Sequence, residues 1–537
     1  MDTITVIPDG GNESSITVSP VYHDRPLASV LARAGYVLNT RCGQKGLCRG
    51  CEVRLESGET VKSCQIPAAR VIGRTIRIPE KSLLQGSLSV AVDFQPRCGF
   101  EIRPLFEVRG ERKFGICIDI GTTTVVMALV DLLDGKILGR ASGYNAQVRM
   151  GEDVLTRIDS CSRSKDAVVE GQRLILEETL SLLWGELMKQ SGCSGGQLAG
   201  AVVAGNTTML HLLVGEDPTP MGRVPFRPVF IESQYRAHNT FPWLAPVWEG
   251  AEEIPWYLLP GFAAYVGADI SAGWLASGMI EHDGTTLLID IGTNGEILLQ
   301  HGRRLSGCAT AAGPAFEGTQ LSWGTRAIEG AVSRIHGNLL DRENLAFEYV
   351  GRRKARPGGF CGSAYIDFLA LGAKSGLLTE RGRFDAALCQ RLGIRLGQGE
   401  WGHCWYFNEN DPAGPAISDA DIALILQAKA AIAAGVEILL KQSGLVRGEV
   451  DRVYLAGGFG LNLGIDSAIT CGLLAGFRRD QIEVVGNSSL GGAYVCLLDR
   501  MRAADLEHAA RGAEIIELNE DPGFEDTYID HLNLELL

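Results

Sequence analysis

Two segments far apart in the chain carry the same unit: Gly115–Thr124 reads GICIDIGTTT and Leu287–Glu296 reads LLIDIGTNGE. Each is an apolar run, then Asp-Ile-Gly-Thr, then a second run of strand-forming residues, Val125–Val130 and Ile297–Gln300. The pattern predicts strand–turn–strand twice, and hence a two-lobed α/β domain built by duplication with its ligand between the lobes. In such a turn the glycine lets the backbone approach a phosphate, and the threonine hydroxyl and N–H groups supply donors. The aspartates, Asp119 and Asp290, suit Mg2+, which favours carboxylate, water and phosphate oxygens. A third element, Val453–Gly460 (VYLAGGFG), runs an apolar strand into a glycine pair where a base and ribose can lie against bare backbone. A helical run, Ser467–Leu474, follows it.

The second constraint is a cysteine cluster. Cys42, Cys48 and Cys51 form C-x5-C-x2-C, and Cys64 follows. A [2Fe–2S] unit needs two thiolates per iron, and three from one loop with a fourth from the next segment satisfy it, as in the plant-type C-x4-C-x2-C…C spacing. Here the first gap is one residue longer, which resembles the vertebrate-type ferredoxins. Gly43, Gly46 and Gly50 let the loop fold round a cluster and aim N–H groups at sulfur. The competing assignment, a structural zinc site, usually draws on two separated C-x2-C pairs, and this cluster has one. The other ten cysteines are scattered singly and read as core residues, Cys117 and Cys308 among them.

Ahead of the duplicated unit, Thr3–Ile7 and Ile16–Val18 alternate about PDGGNESS, which predicts a hairpin. Leu27–Ala34 has helical spacing ending at Gly35, and Cys51–Glu56 and Thr75–Ile78 read as short strands. These elements predict a β-grasp domain over residues 1–82. Residues 83–112, rich in Pro, Gly and charge, read as a linker with one or two short strands. Two lobes follow, 113–278 and 279–537. The chain carries 67 glycines in 537 residues, against a usual share of about 7%, in keeping with many close turns. A net charge of −14 argues against nucleic acid or an anionic membrane as partner. No basic, apolar leader is evident at the start, and the best candidate for a long apolar stretch, near Ala263–Met279, is broken by Asp269. The expectation is a soluble, cytoplasmic protein.

The three loop elements, in this order, resemble the phosphate-1, phosphate-2 and adenosine motifs of the superfamily (ASKHA) that holds acetate and sugar kinases, heat-shock protein 70 chaperones and actin. With the ferredoxin loop in front, the whole chain resembles the reductive activators of corrinoid-dependent enzymes, also described as corrinoid activation/regeneration proteins. Further signatures look like theirs: Asn145–Ile158 (NAQVRMGEDVLTRI), Gly205–Gly215 (GNTTMLHLLVG), Cys308–Gly318 (CATAAGPAFEG), Cys361–Asp367 (CGSAYID) and Gly486–Ala493 (GNSSLGGA). There are departures: LNLGID at Leu461–Asp466, and Ala475 where the family often has proline.

The resemblance implies a [2Fe–2S] cluster on Cys42, Cys48, Cys51 and Cys64 that passes one electron to a partner protein's corrinoid cofactor, returning Co(II) to Co(I). A low-potential donor such as a ferredoxin or flavodoxin would refill the cluster, and a homodimer is left open. It implies ATP with Mg2+ held by Asp119, Gly121, Thr122 and Thr123 in the first loop and by Asp290, Gly292, Thr293, Asn294 and Gly295 in the second. Gly457, Gly458 and Gly460 would line the adenosine pocket. Asp119 or Asp290 would orient the attacking water, and Glu296 and Glu317, beside glycine-rich turns, read equally as functional carboxylates or as helix-capping or surface ones. His211 reads as a core histidine and Trp323 as a packed aromatic.

A plant-type cluster lies near about −400 mV, and the resemblance leads us to expect a more negative Co(II)/Co(I) couple. Every ~59 mV uphill lowers a one-electron equilibrium about tenfold, so ATP binding or hydrolysis has work to do. The alternatives weighed are an ASKHA-type small-molecule kinase fused to a ferredoxin domain, for which no sugar-kinase signature is present, and an ATP-sensing electron carrier.

Overall fold

The computed structural model describes the chain except residues 1, 10, 37, 39–45, 47–49, 80–81, 84–92, 245–247, 249–253, 293, 319, 354–356, 400–401 and 535–537, and the side chain of residue 238. Near the N-terminus, strands Thr3–Pro8 and Ser14–Thr17 pair antiparallel about the polar turn. The first also runs parallel to Thr75–Ile78, whose other neighbour is Glu52–Leu55, and Thr60–Lys62 pairs with that strand at the edge. Helix Leu27–Arg33 buries Leu27, Val30 and Leu31 in one core with Ile4, Val6, Val53 and Ile76, and Gly35 ends it with a φ of 90°. A mixed five-stranded sheet with a parallel pair inside it and one covering helix is the β-grasp arrangement.

The segment 93–112 departs from the expected linker with strands. Among the described residues it makes only isolated bridges, Phe94 with Gly486, Arg103 with Asp499 and Arg109 with Arg112. Side chains fasten it instead: Arg103 pairs with the buried Asp499 at 2.9 Å, and Phe106 is buried in the first-lobe core. With Pro and Gly spaced through it, it cannot sustain a ladder, and anchors of this kind replace one.

Each lobe is built on a six-stranded sheet. In the first, Phe114–Ile120, Thr124–Asp131 and Ile137–Tyr144 form an antiparallel meander, and Leu198–Gly205 lies parallel beside Phe114–Ile120. In the second, Thr285–Ile291, Gly295–His301 and Arg304–Thr310 repeat the meander with Arg452–Ala456 in the parallel place. The sequence repeat is thus a repeat of topology. The first two strands of each meander are buried on both faces, which is why they read as continuous apolar runs.

The lobes are not independent packing units. Helix Ser488–Leu498, late in the chain, shares the first-lobe core, and it packs on helix Ala268–Ala276 so closely that no Cβ fits at Gly492 against Ala272. Helix Asp419–Gln442 is long and apolar enough to cross a membrane, yet 78% of its apolar window is buried inside the protein, as the central helix of the second-lobe core. The helix expected over Ser467–Leu474 is shorter, Ile465–Thr470, because Gly472 turns left-handed at φ 87°.

Candidate nucleotide cleft and cysteine pair

Strand Phe114–Ile120 delivers Asp119 to the floor of a cleft of about 330 Å³ between the lobes. Asn487 donates to its Oδ2 at 3.0 Å and Ser489 to its Oδ1 at 2.7 Å, both from the start of helix Ser488–Leu498. The turn after it is tight, since the Gly121 N–H donates to the Thr124 carbonyl at 3.0 Å. Its outward carbonyls, which would repel phosphate, are tied back from behind. Asn145 donates its side-chain amide to the Gly121 carbonyl at 2.9 Å and its N–H to the Thr123 carbonyl at 2.8 Å. Arg157, fully buried, donates to the Thr122 carbonyl, and burial pulls its pKa down to about 9.

The second loop mirrors the first. Asp290 ends strand Thr285–Ile291, and the Gly292 N–H donates to the Asn294 carbonyl at 3.0 Å; Thr293 lies outside the described residues. Strand Arg452–Ala456 then brings in the glycine pair. Gly457 has a φ of 84°, and a Cβ there would fall 2.5 Å from Asp290 Oδ1, so glycine is needed both for conformation and for space. A Cβ on Gly458 would meet nothing, which leaves bare backbone facing room. Two of the expected ligand glycines stand aside from the cleft. Gly295 is packed under helix Asp419–Gln442, its Cβ position taken by Ile432 and Thr310, and Gly460 is buried against Leu455.

Four carboxylates converge on the cleft. Asp290 stands directly opposite Glu296 in the strand register, Asp119 comes from the other lobe, and Asp269 from the first turn of helix Ala268–Ala276. Burial first, and then the Asp290 and Asp119 charges, push Asp269 up to about 7. Burial and Asp119 push Asp290 up to about 7, and Glu296 is raised well above its usual value, by burial and then by Asp269 and Asp290. A donor set of this kind fits a divalent cation with polyphosphate. Among the described residues no three such groups are close enough to ligate one ion directly. That also fits Mg2+, which keeps several waters and completes its shell with phosphate oxygens. At the mouth, Thr123 donates to Glu317 across the lobes at 3.4 Å, and Arg326, the sole cation among the described lining residues, reaches Glu317 at 3.4 Å and lies over Tyr144.

In the N-terminal domain the hairpin register, Glu52 opposite Lys62, returns the chain so that Cys51 and Cys64 meet with sulfurs 3.2 Å apart, both buried. Gln65 donates its amide to the Cys64 sulfur at 3.4 Å, as a thiolate ligand requires. Cys42 and Cys48 lie outside the described residues. The half of the set that is described fits a cluster edge: two adjacent, shielded sulfurs with a donor aimed at one of them.

Of the residues the sequence left open, Glu296 and Glu317 both line the cleft, and His211 is fully buried with its Nδ1 bonded to the Thr207 carbonyl and its Nε2 accepting from the Val229 N–H. Trp323 is half-buried and packs on the second-lobe core. All ten scattered cysteines are free, and Cys117 and Cys308 are core residues. Sequence reasoning missed Asp269, which it used only as a break in an apolar stretch, and Asn487, Ser489, Arg157 and Arg326. Three of these fall inside quoted signatures that could have pointed to them, Asn487 and Ser489 in GNSSLGGA and Arg157 in NAQVRMGEDVLTRI.

Fold and cleft together define an ASKHA-type, two-lobed protein behind a small β-grasp domain. The sequence profile described as the C-terminal domain of RACo, the ASKHA domain, matches residues 284–536, and that of the RACo middle region matches 114–282. The corrinoid activation enzyme RamQ of Eubacterium limosum is 31% identical over 426 residues, spanning 78% of this chain and 69% of the relative. The [Co(II) methylated amine-specific corrinoid protein] reductase of Methanosarcina barkeri is 26% identical over 270 residues, 47% of this chain and 46% of that protein. A solved reductive activator for corrinoid, iron-sulfur protein superposes with a TM-score of 0.71 at 29% identity, covering 99% of this chain and 98% of its own. The chain belongs to the RACo family of corrinoid activation proteins.

Proposed function

We propose that this protein reactivates a corrinoid protein of a methyltransferase system, delivering one electron to Co(II) to regenerate Co(I) in a step that depends on ATP. The observation that carries the reading is the pairing, in one chain, of two buried cysteine sulfurs 3.2 Å apart with an acidic interlobe cleft. The named relatives supply the partner class, since one is a corrinoid activation enzyme and another reduces a corrinoid protein.

Residues 1–82 form the electron-carrying domain in this reading, 83–112 a connector, and 113–278 and 279–537 the two lobes. Cys42, Cys48, Cys51 and Cys64 would hold a [2Fe–2S] cluster, which when bound supplies a low-potential one-electron carrier. In the cleft, Gly121, Thr122 and Thr123 and the turn from Gly292 to Asn294 would receive the phosphates, and Gly457 and Gly458 the adenosine, with Gly295 and Gly460 packed aside from them. Asn487 and Ser489 fix both oxygens of Asp119, which would hold Mg2+ through its waters. Asp290, near neutrality in its proton affinity, can take a proton from water at its carboxylate. Closure of the lobes excludes solvent from that exchange. A ferredoxin or flavodoxin is the donor class we assign, and the free thiols suit a reducing compartment, the cytoplasm.

The test is an anaerobic titration of the iron- and sulfide-loaded protein against a Co(II) corrinoid protein, with and without MgATP, following loss of the Co(II) spectrum. Co(I) is expected only with MgATP, and Asp290→Ala should abolish ATP turnover and Co(I) formation together. Undiminished Co(I) in that variant would sink the coupling.

A further inference from the structure

The phosphate loop of the first lobe is tied to the cysteine domain by an unbroken chain of contacts. Asn145, which holds the Gly121 and Thr123 carbonyls, is also the N-cap of the one-turn helix Ala146–Arg149, accepting from the Gln147 N–H. Arg149, at the end of that turn, donates to Ser29 Oγ at 2.9 Å, on helix Leu27–Arg33 of the N-terminal domain. The first N–H of that helix, on Leu27, donates to the Ile66 carbonyl at 2.8 Å, two residues past Cys64. The chain of contacts therefore runs from the phosphate loop to a cysteine of the electron-carrying domain.

The surroundings of Arg149 make it a transmitter rather than a surface contact. Its side chain is 12% exposed, its partner Glu178 is 4% exposed, and burial pulls the Arg149 pKa down to about 10. Glu178 also pairs with Arg173 at 2.9 Å, and Arg173 with Glu177 at 2.7 Å. Glu177 then accepts from Arg33 at 2.7 Å and from Tyr22 at 3.2 Å, both in the N-terminal domain. Glu177 and Glu178 sit together in a π-helical turn, Leu176–Leu180, set between helices Asp166–Ile175 and Ser181–Ser191. Such turns are locally costly and occur mostly where a function retains them. The same turn supplies Thr179 Oγ1, which accepts from the Ala146 N–H at 3.0 Å, so it grips both the short helix and the cysteine domain.

We propose that Arg149 is a positioning residue through which nucleotide in the cleft sets the seating of the cysteine domain on the first lobe. The inference rests on the ATP reading of the cleft. Phosphate arriving at Gly121–Thr123 pulls on Asn145, and the short helix Ala146–Arg149 moves as a unit. A buried ion-pair network holds discrete arrangements rather than a continuum, because an intermediate position leaves a charge unpaired. Binding at either end is then felt at the other, and by linkage docking of the cysteine domain alters nucleotide affinity by the same factor.

Hydrogen–deuterium exchange on the full, cluster-loaded chain, with and without MgATP, tests this in the wild type, Arg149→Lys and Ser29→Ala. Ser29→Ala removes one hydroxyl on the helix surface and keeps the variant foldable. MgATP is expected to change exchange both at the loop 121–124 and in helix 27–33 of the wild type. In both variants the response of helix 27–33 should fall about fivefold or more, while the loop response persists. A helix 27–33 that ignores MgATP in the wild type, or responds undiminished in both variants, overturns the coupling alone. A loop 121–124 that shows no response in the wild type overturns the nucleotide reading, and the coupling with it.

Discussion

Ser489 donates a hydrogen bond of 2.7 Å to Asp119 Oδ1 although 370 residues separate them in sequence. The helix it begins belongs by order to the end of the chain and by packing to the first-lobe core. One lobe's carboxylate is thereby oriented by an element from far along the chain. Ser489→Ala removes a hydrogen bond to a charged group, an interaction of about 1.5–3 kcal/mol. MgATP turnover should fall about tenfold to a hundredfold, read as kcat/KM, with the melting temperature little changed.

The glycine pair separates two roles. Gly457→Ala forces a side chain into a left-handed conformation and against Asp290 Oδ1, and should cost about 1–3 kcal/mol of stability as well as nucleotide binding. Gly458→Ala meets open space, so it should leave stability within about 0.5 kcal/mol while a methyl group in the cleft weakens ATP binding. Chemical denaturation and nucleotide titration of the two variants check the contrast.

The acidic floor should make the nucleotide-free protein less stable as pH rises. Burial, and then its acidic neighbours, raise Asp269 from an unfolded value of 3.8 to about 7 in the folded state, so the folded form binds the extra proton between those limits. Stability is then lost as pH climbs through that window, and the full cost, on the order of a few kcal/mol, is present above it. Asp269→Asn should therefore raise the melting temperature at pH 8 by several degrees and by much less at pH 5. The same variant should bind MgATP about tenfold or more weakly, because it loses one of the carboxylates that line the cleft. Thermal melts at both pH values, with and without MgATP, measure both effects.

Cys64→Ser should remove most of the iron and the visible absorption gained on anaerobic reconstitution, since oxygen is a poor substitute for a thiolate in a cluster. MgATP should still bind, since the phosphate loops lie in the cleft between the lobes and not in the cysteine domain. Zinc retained at the loop of the wild type in place of iron would contradict the cluster assignment.

The elements legible in the sequence were those whose cause is local. The two Asp-Ile-Gly-Thr turns, the strands on either side of them and the hairpin–helix–strand order of the N-terminal domain all follow from patterns a few residues long, and the structure reproduces them as strands Phe114–Ile120, Thr285–Ile291 and their partners. Among the described residues the segment 93–112 carries no strand, because its order comes from anchors such as Arg103 on Asp499, which no local period records.

Within the cleft the same division holds. Sequence alone was enough to pick out Asp119, Asp290 and Gly457, because an aspartate or glycine ending an apolar strand carries its meaning in its neighbours. Asp269, Ser489, Arg157 and Arg326 reach the cleft from helices and loops remote in the chain, and Gly295 turned out to face a helix instead of a ligand. Only tertiary packing decides such matters, because burial and the approach of distant charges, which set both the proton affinity of a carboxylate and the room beside a glycine, do not exist until the lobes are assembled.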